Sequence, residues 1–326
     1  MLRWLFGFVL AVGLAAGGVV AWGYAEYLRP GPYNIGTTII IGEGTGVDAI
    51  ARDLQGHGLI RSAFVFRAGL RLLDPDKTLK AGEYAIPPSL SPRALAGLLD
   101  EGKTVVRRLT VAEGLTTRQV LAQLRATEGL SGEIGRPPDE GSLLPETYHF
   151  SYGDTREQIV RRMRAAMADV LAEIWRRRAP GLPLKSPAEA VILASIVEKE
   201  TGRADERRRV AGVFINRLNK RMRLQSDPTV VYGLTDGRGP LGRGLTRADL
   251  ARDHPFNTYV IRGLPPGPIA NPGRASLEAA VNPAATGDLY FVADGHGGHL
   301  FARTLREHNA NVAKWRRIER ERRSAP

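Results

Sequence analysis

Twenty-two consecutive residues, Trp4 to Ala25, carry no charge, and this run limits more than any other feature what the chain can become. At about 1.5 Å per residue a helix of that length spans roughly 33 Å, close to a bilayer core of about 30 Å. A cleaved signal peptide has an apolar stretch of only about 7–15 residues. The run here is longer, and Val20-Ala-Trp-Gly-Tyr24 is a poor small-residue cleavage site. Trp4, Trp22 and Tyr24 sit near its ends, where interfacial aromatics belong. Residues 1–25 are therefore expected to be a single uncleaved membrane anchor, with a signal peptide as the alternative. The amino terminus is read as cytoplasmic and the body as outside. Residues 26–35, with Arg29-Pro-Gly-Pro32, read as a short stiff spacer, which keeps the body close to the membrane.

The remaining three hundred residues have the mixture of a folded body. Over the whole chain 43% of residues are hydrophobic and 25% charged, which excludes a disordered chain and a polytopic membrane protein. There is no cysteine, so disulfides, thiolate zinc sites and cysteine nucleophiles are excluded together. The net charge of +12 points to an acidic partner. Aromatics at 7% weaken a base-stacking nucleic-acid reading.

A near-repeat organises the first half. Ile41-Gly-Glu-Gly44 precedes Val47, Ile50, Ala51 and Leu54 at helical spacing, then Gly58-Leu59. Val111-Ala-Glu-Gly114 precedes Val120, Leu121 and Leu124, then Gly129-Leu130. Each copy reads as strand, tight turn, short amphipathic helix and glycine stop. Two binding sites, or two copies of a common supersecondary unit, explain the repeat equally. Between the copies, Phe64 to Leu73 reads as a helix, Gly82 to Ile86 as a strand, and Ser91 to Leu99 as a helix capped by Ser91 or Ser89. Thr104 to Val111 is β-rich. The fold class is α+β.

From Asp154 the pattern lengthens. Arg156 to Arg178 is an amphipathic helix whose Arg-rich flank reads as a solvated face, since no nucleic-acid-binding motif accompanies it. Lys314 to Arg323 reads as a charged surface helix. Ser186-Pro187 opens a helix that runs through Ala188 to Thr201 and stops at Gly202. With Leu193 at 0° and about 100° per residue, Val197 falls at about 40° and Glu200 at about −20°, inside the apolar sector. Glu198 falls at about 140°, nearly opposite. A buried carboxyl has its pKa raised, which suits a general acid near neutral pH. A structural glutamate paired with Arg207 or Arg217 fits the helix equally well.

A second helix, Asp205 to Leu218, carries Asn216. Gln225, Ser226, Asp227 and Thr229 are polar groups around a proline turn. Further on stand Pro255-Phe-Asn-Thr-Tyr259, with Asn257, and a stretch from Gly263 to Gly273 holding four prolines and three glycines. That stretch reads as a rigid loop presenting Asn271. Amides, hydroxyls and a tyrosine ring around one acid suit a sugar, which offers many hydroxyls and an apolar ring face. Leu289–Ala293 and Leu300–Arg303 read as a hairpin whose turn holds His296 and His299. No metal site and no cofactor is expected.

These blocks also carry a resemblance. Ala194-Ser-Ile-Val-Glu-Lys-Glu-Thr201, Val213-Phe-Ile-Asn-Arg-Leu218, Met222 to Gly233, Asn257-Thr-Tyr259 and Gly263 to Gly273 resemble the endolytic murein transglycosylase, or YceG-like, family. Glu140 to Tyr148 and the hairpin from Tyr290 to Phe301 resemble further blocks of it. The resemblance covers essentially the whole chain. It implies a LysM-like α+β module at 36–102 that contacts glycan, and a larger α+β catalytic domain at 103–326. It implies a lytic transglycosylase acting on peptidoglycan at the cytoplasmic membrane, with the catalytic body on the extracytoplasmic side and the cell-wall synthesis machinery nearby. It places the catalytic acid on Glu200 or Glu198, and the helical wheel selects Glu200. Asn216, Gln225, Asp227, Asn257 and Tyr259 are the candidate sugar-binding residues. No nucleic-acid role is expected. Two rivals remain at this level. An ordinary glycoside hydrolase needs a second carboxylate about 5–9.5 Å away, for which Asp227 and then Glu206 are the candidates. A non-catalytic wall-binding anchor needs none.

Overall fold

The computed structural model describes residues 2–324. Among the described residues it has twelve helices and six strands, a mixed α+β arrangement in which the strands pair into three two-stranded sheets. The chain divides into two compact units. The first holds residues up to 107 together with 129–131 and 149–154, and the second holds the rest.

The first unit begins with α1 (Leu2–Leu28), five residues longer than the uncharged run. Within Arg3–Leu28 an 18-residue stretch has a mean hydropathy of 2.1 and is exposed, so by length and composition the helix is able to cross a membrane. Its last turn is tied to the body. The Glu26 carboxylate meets Arg61 at 3.3 Å and Arg29 at 3.7 Å, and Tyr27 is buried. The residues that follow are also bonded down. Gly31 N donates to Leu90 O at 3.0 Å, Arg61 donates to Pro30 O at 2.9 Å, and Ser89 N donates to Tyr33 O at 3.1 Å.

The strands β1 (Thr37–Ile41) and β2 (Gly82–Ile86) pair antiparallel, with Ile39 opposite Tyr84. Alternation sends Ile39 and Ile41 inward and leaves Ile40 outside. Three helices cover that inner face: α2 (Val47–Gly56), α3 (Ala63–Leu73) and α4 (Pro92–Glu101). Each buries one stripe, for example Ile50, Ala51 and Leu54 of α2. Full burial of such a side chain is worth about 1.5–3 kcal/mol. The ends follow local chemistry. Leu59 N bonds back to Leu54 O around Gly58, whose φ of 70° a side chain would resist. Ser62 caps α3 by accepting from Val65 N, and Ser91, not Ser89, caps α4 by accepting from Ala94 N.

The second unit has one long buried helix at its centre, α7 (Pro187–Glu200). Around it pack α6 (Arg156–Arg176), α8 (Ala204–Asn219), α9 (Asp227–Thr235) and α11 (Arg274–Val281), with Met167, Leu193, Val197, Phe214 and Leu277 in one core. The short α5 (Thr117–Ala126) and α10 (Arg247–Ala251) each start with a capping box. Strands β3 (Val106–Thr110) and β4 (Thr147–Ser151) form one sheet. The hairpin β5 (Tyr290–Ala293) and β6 (His299–Ala302) forms another, with Phe291 opposite Phe301 and set edge-on against Phe214 at 5.8 Å.

Two elements differ from the sequence reading. The polar stretch at Asp227 is the start of α9 rather than a turn, because Pro228 suits the first turn of a helix, where its missing N–H is not needed. The final helix, α12 (Leu305–Ser324), starts nine residues before Lys314. Thr304 Oγ1 accepts from Glu307 N at 3.2 Å, while the Glu307 carboxylate accepts from Thr304 N at 3.3 Å. That reciprocal pair fixes the start well ahead of the charged run.

Candidate active site

Helix α7 is built to carry a polar end out of an apolar core. Ser186 accepts from Glu189 N at 3.3 Å and Pro187 occupies the first helical turn. Every residue from Ala190 to Val197 is buried. The helix therefore has no solvent face over two turns, and this corrects the wheel argument. Both glutamates at its C-terminal end meet protein, because the sector opposite Leu193 is covered as well.

The Glu198 side chain is only 6% exposed. It accepts from Gly273 N, at the start of α11, at 2.9 Å and lies 3.9 Å from Arg207. A carboxylate at a helix start complements the exposed N–H groups there. Beside it, the Glu113 carboxyl is pushed up, chiefly by partial burial and then by the charge of Glu198. Glu198 thus holds the entry of α11.

Glu200, the last residue of α7, has a different setting. Ser226 donates its hydroxyl to Glu200 Oε1 at 2.5 Å. Among the described residues Glu200 has no ion pair. Arg207 lies by Glu198, and the buried Arg217 donates to Leu289 O at 2.6 Å and Leu224 O at 2.7 Å. Part of Glu200 stays exposed, yet the protein packed around the carboxyl strips enough water to push its pKa up to about 7. The charge of Asp227 adds to the rise, while the Ser226 hydrogen bond and Arg217 oppose it. Such a carboxyl exists in both protonation states near neutral pH, which proton donation followed by proton acceptance requires.

The floor beneath Ser226 is a buried hydroxyl network. Ser226 N donates to Thr258 Oγ1 at 2.9 Å, Thr229 Oγ1 lies 2.9 Å from Thr258 Oγ1, and Thr229 donates to Ser226 O at 2.7 Å. Gln225 N donates to Thr258 O at 3.1 Å with the residue held at φ 52°, a region disfavoured for a side chain with a Cβ. Its own amide is exposed and makes no hydrogen bond among the described residues. Asp227 is also exposed, and its Oδ1 accepts from the Tyr259 hydroxyl at 2.6 Å. Burial and the Asp227 charge push that phenol well above the usual tyrosine range. Beside Asp227 an open cleft of about 360 Å³ is lined by Lys199, Pro228, Val231, Tyr232 and Ile269, a mostly apolar wall.

The sequence candidates therefore separate. Glu200, Gln225, Asp227 and Tyr259 come together with polar atoms at or near solvent. Asn257 is buried, donating to the carbonyls of Asp249, Leu250 and Arg252 and accepting from Tyr259 N at 3.0 Å. Asn216 donates to Thr286 O at 2.7 Å and Asp288 O at 3.0 Å. Both amides hold backbone. Glu206 pairs with His299 at 2.7 Å under the hairpin. Asn271 is not presented by its loop as the sequence suggests. It is fully buried, accepting from Leu143 N at 2.9 Å and donating to Leu115 O at 3.0 Å, so it ties three chain segments together. A further acid, the half-buried Glu140, accepts from Thr117 N at 2.7 Å and from the Tyr232 hydroxyl at 3.2 Å. Ser226, named only among the polar groups of its stretch, and Thr258 are not among the sequence candidates for the site. Each stands one residue from residues that are: Gln225 and Asp227, and Asn257 and Tyr259.

Comparison with known proteins follows the same lines. Residues 39–314 match the YceG-like family. An endolytic murein transglycosylase of Bacillus subtilis is 30% identical over 335 residues, spanning 93% of this chain and 91% of that one. A protein of the same name from Streptococcus pneumoniae is 29% identical over 92% of this chain, which spans 63% of the longer relative. The crystal structure of a YceG-like protein from Listeria monocytogenes is 32% identical and superposes with a TM-score of 0.51, over 85% of this chain and 99% of that one.

Proposed function

The chain belongs to the YceG-like family, and from that premise we propose that it is a membrane-anchored endolytic lytic transglycosylase. Its substrate is the glycan strand of peptidoglycan, and it cuts the bond from N-acetylmuramic acid to N-acetylglucosamine to leave 1,6-anhydro ends. The observation that carries this reading is Glu200, a carboxyl without an ion pair among the described residues, pushed up to about 7 chiefly by burial and held by a serine hydroxyl. Protonated Glu200 donates to the leaving glycosidic oxygen as the anomeric bond breaks. The resulting carboxylate takes the proton of the C6 hydroxyl of the same muramic unit as that oxygen closes onto the anomeric carbon. The acid is regenerated without water. Intramolecular attack has a large effective molarity, so one carboxyl suffices. Gln225, Asp227 and Tyr259 contact the sugars, while Asn257 positions the segment that bears Tyr259 and Asn216 holds the backbone at Thr286 and Asp288. Residues 36–102 serve as a LysM-like glycan-contacting module, α1 holds the body on the extracytoplasmic face of the cytoplasmic membrane, and the synthesis machinery is the neighbour that supplies nascent strands.

The proximity of Asp227 favours one second reading, a hydrolase with two carboxylates. Incubating the full-length protein in detergent with purified peptidoglycan and weighing the new ends separates the two. Anhydro ends that vanish in Glu200→Gln support the transglycosylase. Reducing ends that need both Glu200 and Asp227 support the hydrolase, and no new ends support a wall-binding anchor.

A further inference from the structure

Helix α3 has two faces. Val65, Phe66, Gly69 and Leu70 are buried in the first unit. Phe64, Ala68 and Leu72, spaced i, i+4 and i+8, form a second apolar stripe, with Phe64 68% and Leu72 77% exposed and Leu73 beside them at 43%. A protein that met only water would be expected to place polar side chains there.

The stripe does not stand alone. It lines an apolar cleft of about 270 Å³ whose other wall is the outer end of α1, including Val20, Trp22 and Tyr24. The two helices touch closely, because Gly69 has no side chain and the Tyr27 ring fills the space a Cβ would need. Residues 19–27 of α1 cover about 12 Å of helix. They include the end of the uncharged run and, in Trp22 and Tyr24, two aromatics suited to a headgroup boundary. Phe64 and Leu72 therefore lie level with the boundary between hydrocarbon and headgroups wherever α1 spans a bilayer. Arg71, next to Leu72 in the last turn, is exposed and makes no hydrogen bond or ion pair among the described residues, so its guanidinium is available to a lipid phosphate.

We infer that α3 is an interfacial helix: the Phe64–Ala68–Leu72 face lies in the outer leaflet beside the anchor, and the first unit rests on the lipid surface rather than hanging free of it. The occupant is lipid because the stripe is continuous with a helix surface that lipid already covers. This rests on reading α1 as a membrane span.

The chain has no cysteine, so single cysteines can carry a nitroxide without background. The full-length variants Phe64→Cys, Leu72→Cys, Lys103→Cys and Val12→Cys are labelled and reconstituted in phosphatidylethanolamine–phosphatidylglycerol vesicles. Relaxation by oxygen is compared with relaxation by a water-soluble nickel chelate. The expected result is preferential oxygen access at 64 and 72, as at 12 in the anchor, and preferential nickel access at 103. Nickel access at 64 and 72 matching that at 103, with 12 still in lipid, overturns the interfacial helix and leaves the anchor intact. Nickel access at 12 overturns both. Exclusion of both reagents at 64 with dipolar broadening between labels assigns the face to a second copy and overturns the lipid assignment.

Discussion

Two turns with nearly the same sequence sit in unlike surroundings. Gly-Glu-Gly at 42–44 and Ala-Glu-Gly at 112–114 each lead from a strand into a short helix, and their last glycines have φ of 72° and 77°. A side chain added at Gly44 would meet nothing within 4 Å. At Gly114 it would touch Glu198 and Lys199 at 3.5 Å. Gly114 O also accepts from Lys199 Nζ at 3.2 Å, and Gly114 N donates to Asn271 O at 3.0 Å. The first turn is only a turn. The second is a bracket for the end of the helix that carries the acid. Local sequence builds both, and what the core places behind them decides which one serves a site.

Experiments can break this contrast in order of effect. The largest concerns the acid. Glu200→Gln keeps shape and the Ser226 contact and removes the titrating proton, so glycan cleavage should fall about 10²–10⁴-fold by an end-group assay, with the far-ultraviolet spectrum unchanged. Next is the bracket. Asn271→Leu leaves Leu143 N buried without a partner, at about 1–3 kcal/mol, while Leu115 O keeps the backbone N–H of residue 271; urea unfolding of the second unit should register the loss.

The third effect is a pH dependence. Glu200 ionises near pH 7 in the folded chain and at 4.5 ordinarily, so its folded pKa is raised. Between those values the unfolded chain releases the proton first, and stability declines as pH rises. Glu200→Gln does not titrate. Its melting temperature relative to the unaltered chain should climb from pH 4.5 to 7 and level off above. A difference that is flat across that window would mean the carboxyl is ordinarily solvated. The smallest effect is the most direct comparison of the turns. Gly44→Ala and Gly114→Ala should each lower stability by about 1–2 kcal/mol, the left-handed penalty. Only Gly114→Ala should also slow cleavage, because strain at that turn shifts the carbonyl that accepts from Lys199. Equal activity in the two variants would show that the second turn supports nothing beyond itself.

Much of this was legible in the residues, for reasons that are local. Ser186-Pro187 and Ser91-Pro92 start helices because an oxygen acceptor and a preset φ need no distant partner. The His296–His299 turn is flanked by strands because Gly295 and Gly297 permit it. The site was half legible. Residue types and spacing put Glu200, Gln225, Asp227 and Tyr259 forward together, and in the fold Ser226 and Asp227, neighbours in the chain, bond to Glu200 and Tyr259. What failed depended on packing across the chain. A wheel drawn on α7 assumes one wet side, and α7 has none between Ala190 and Val197. Asn271 looked like a loop amide open to ligand, yet a carboxamide that satisfies Leu115 and Leu143 at once is invisible until those segments meet it.

The segment after α1 has a mechanical meaning. Seven free residues, 29–35, would let a tethered body wander by about 15 Å. Here Pro30, Gly31 and Tyr33 are hydrogen-bonded to Arg61, Ser89 and Leu90, and Glu26 is clasped by Arg61. The joint has no slack. A helix fixed in a bilayer would set the height of the first unit as a bracket sets a shelf, so that unit would stay at one distance from the lipid instead of searching a volume.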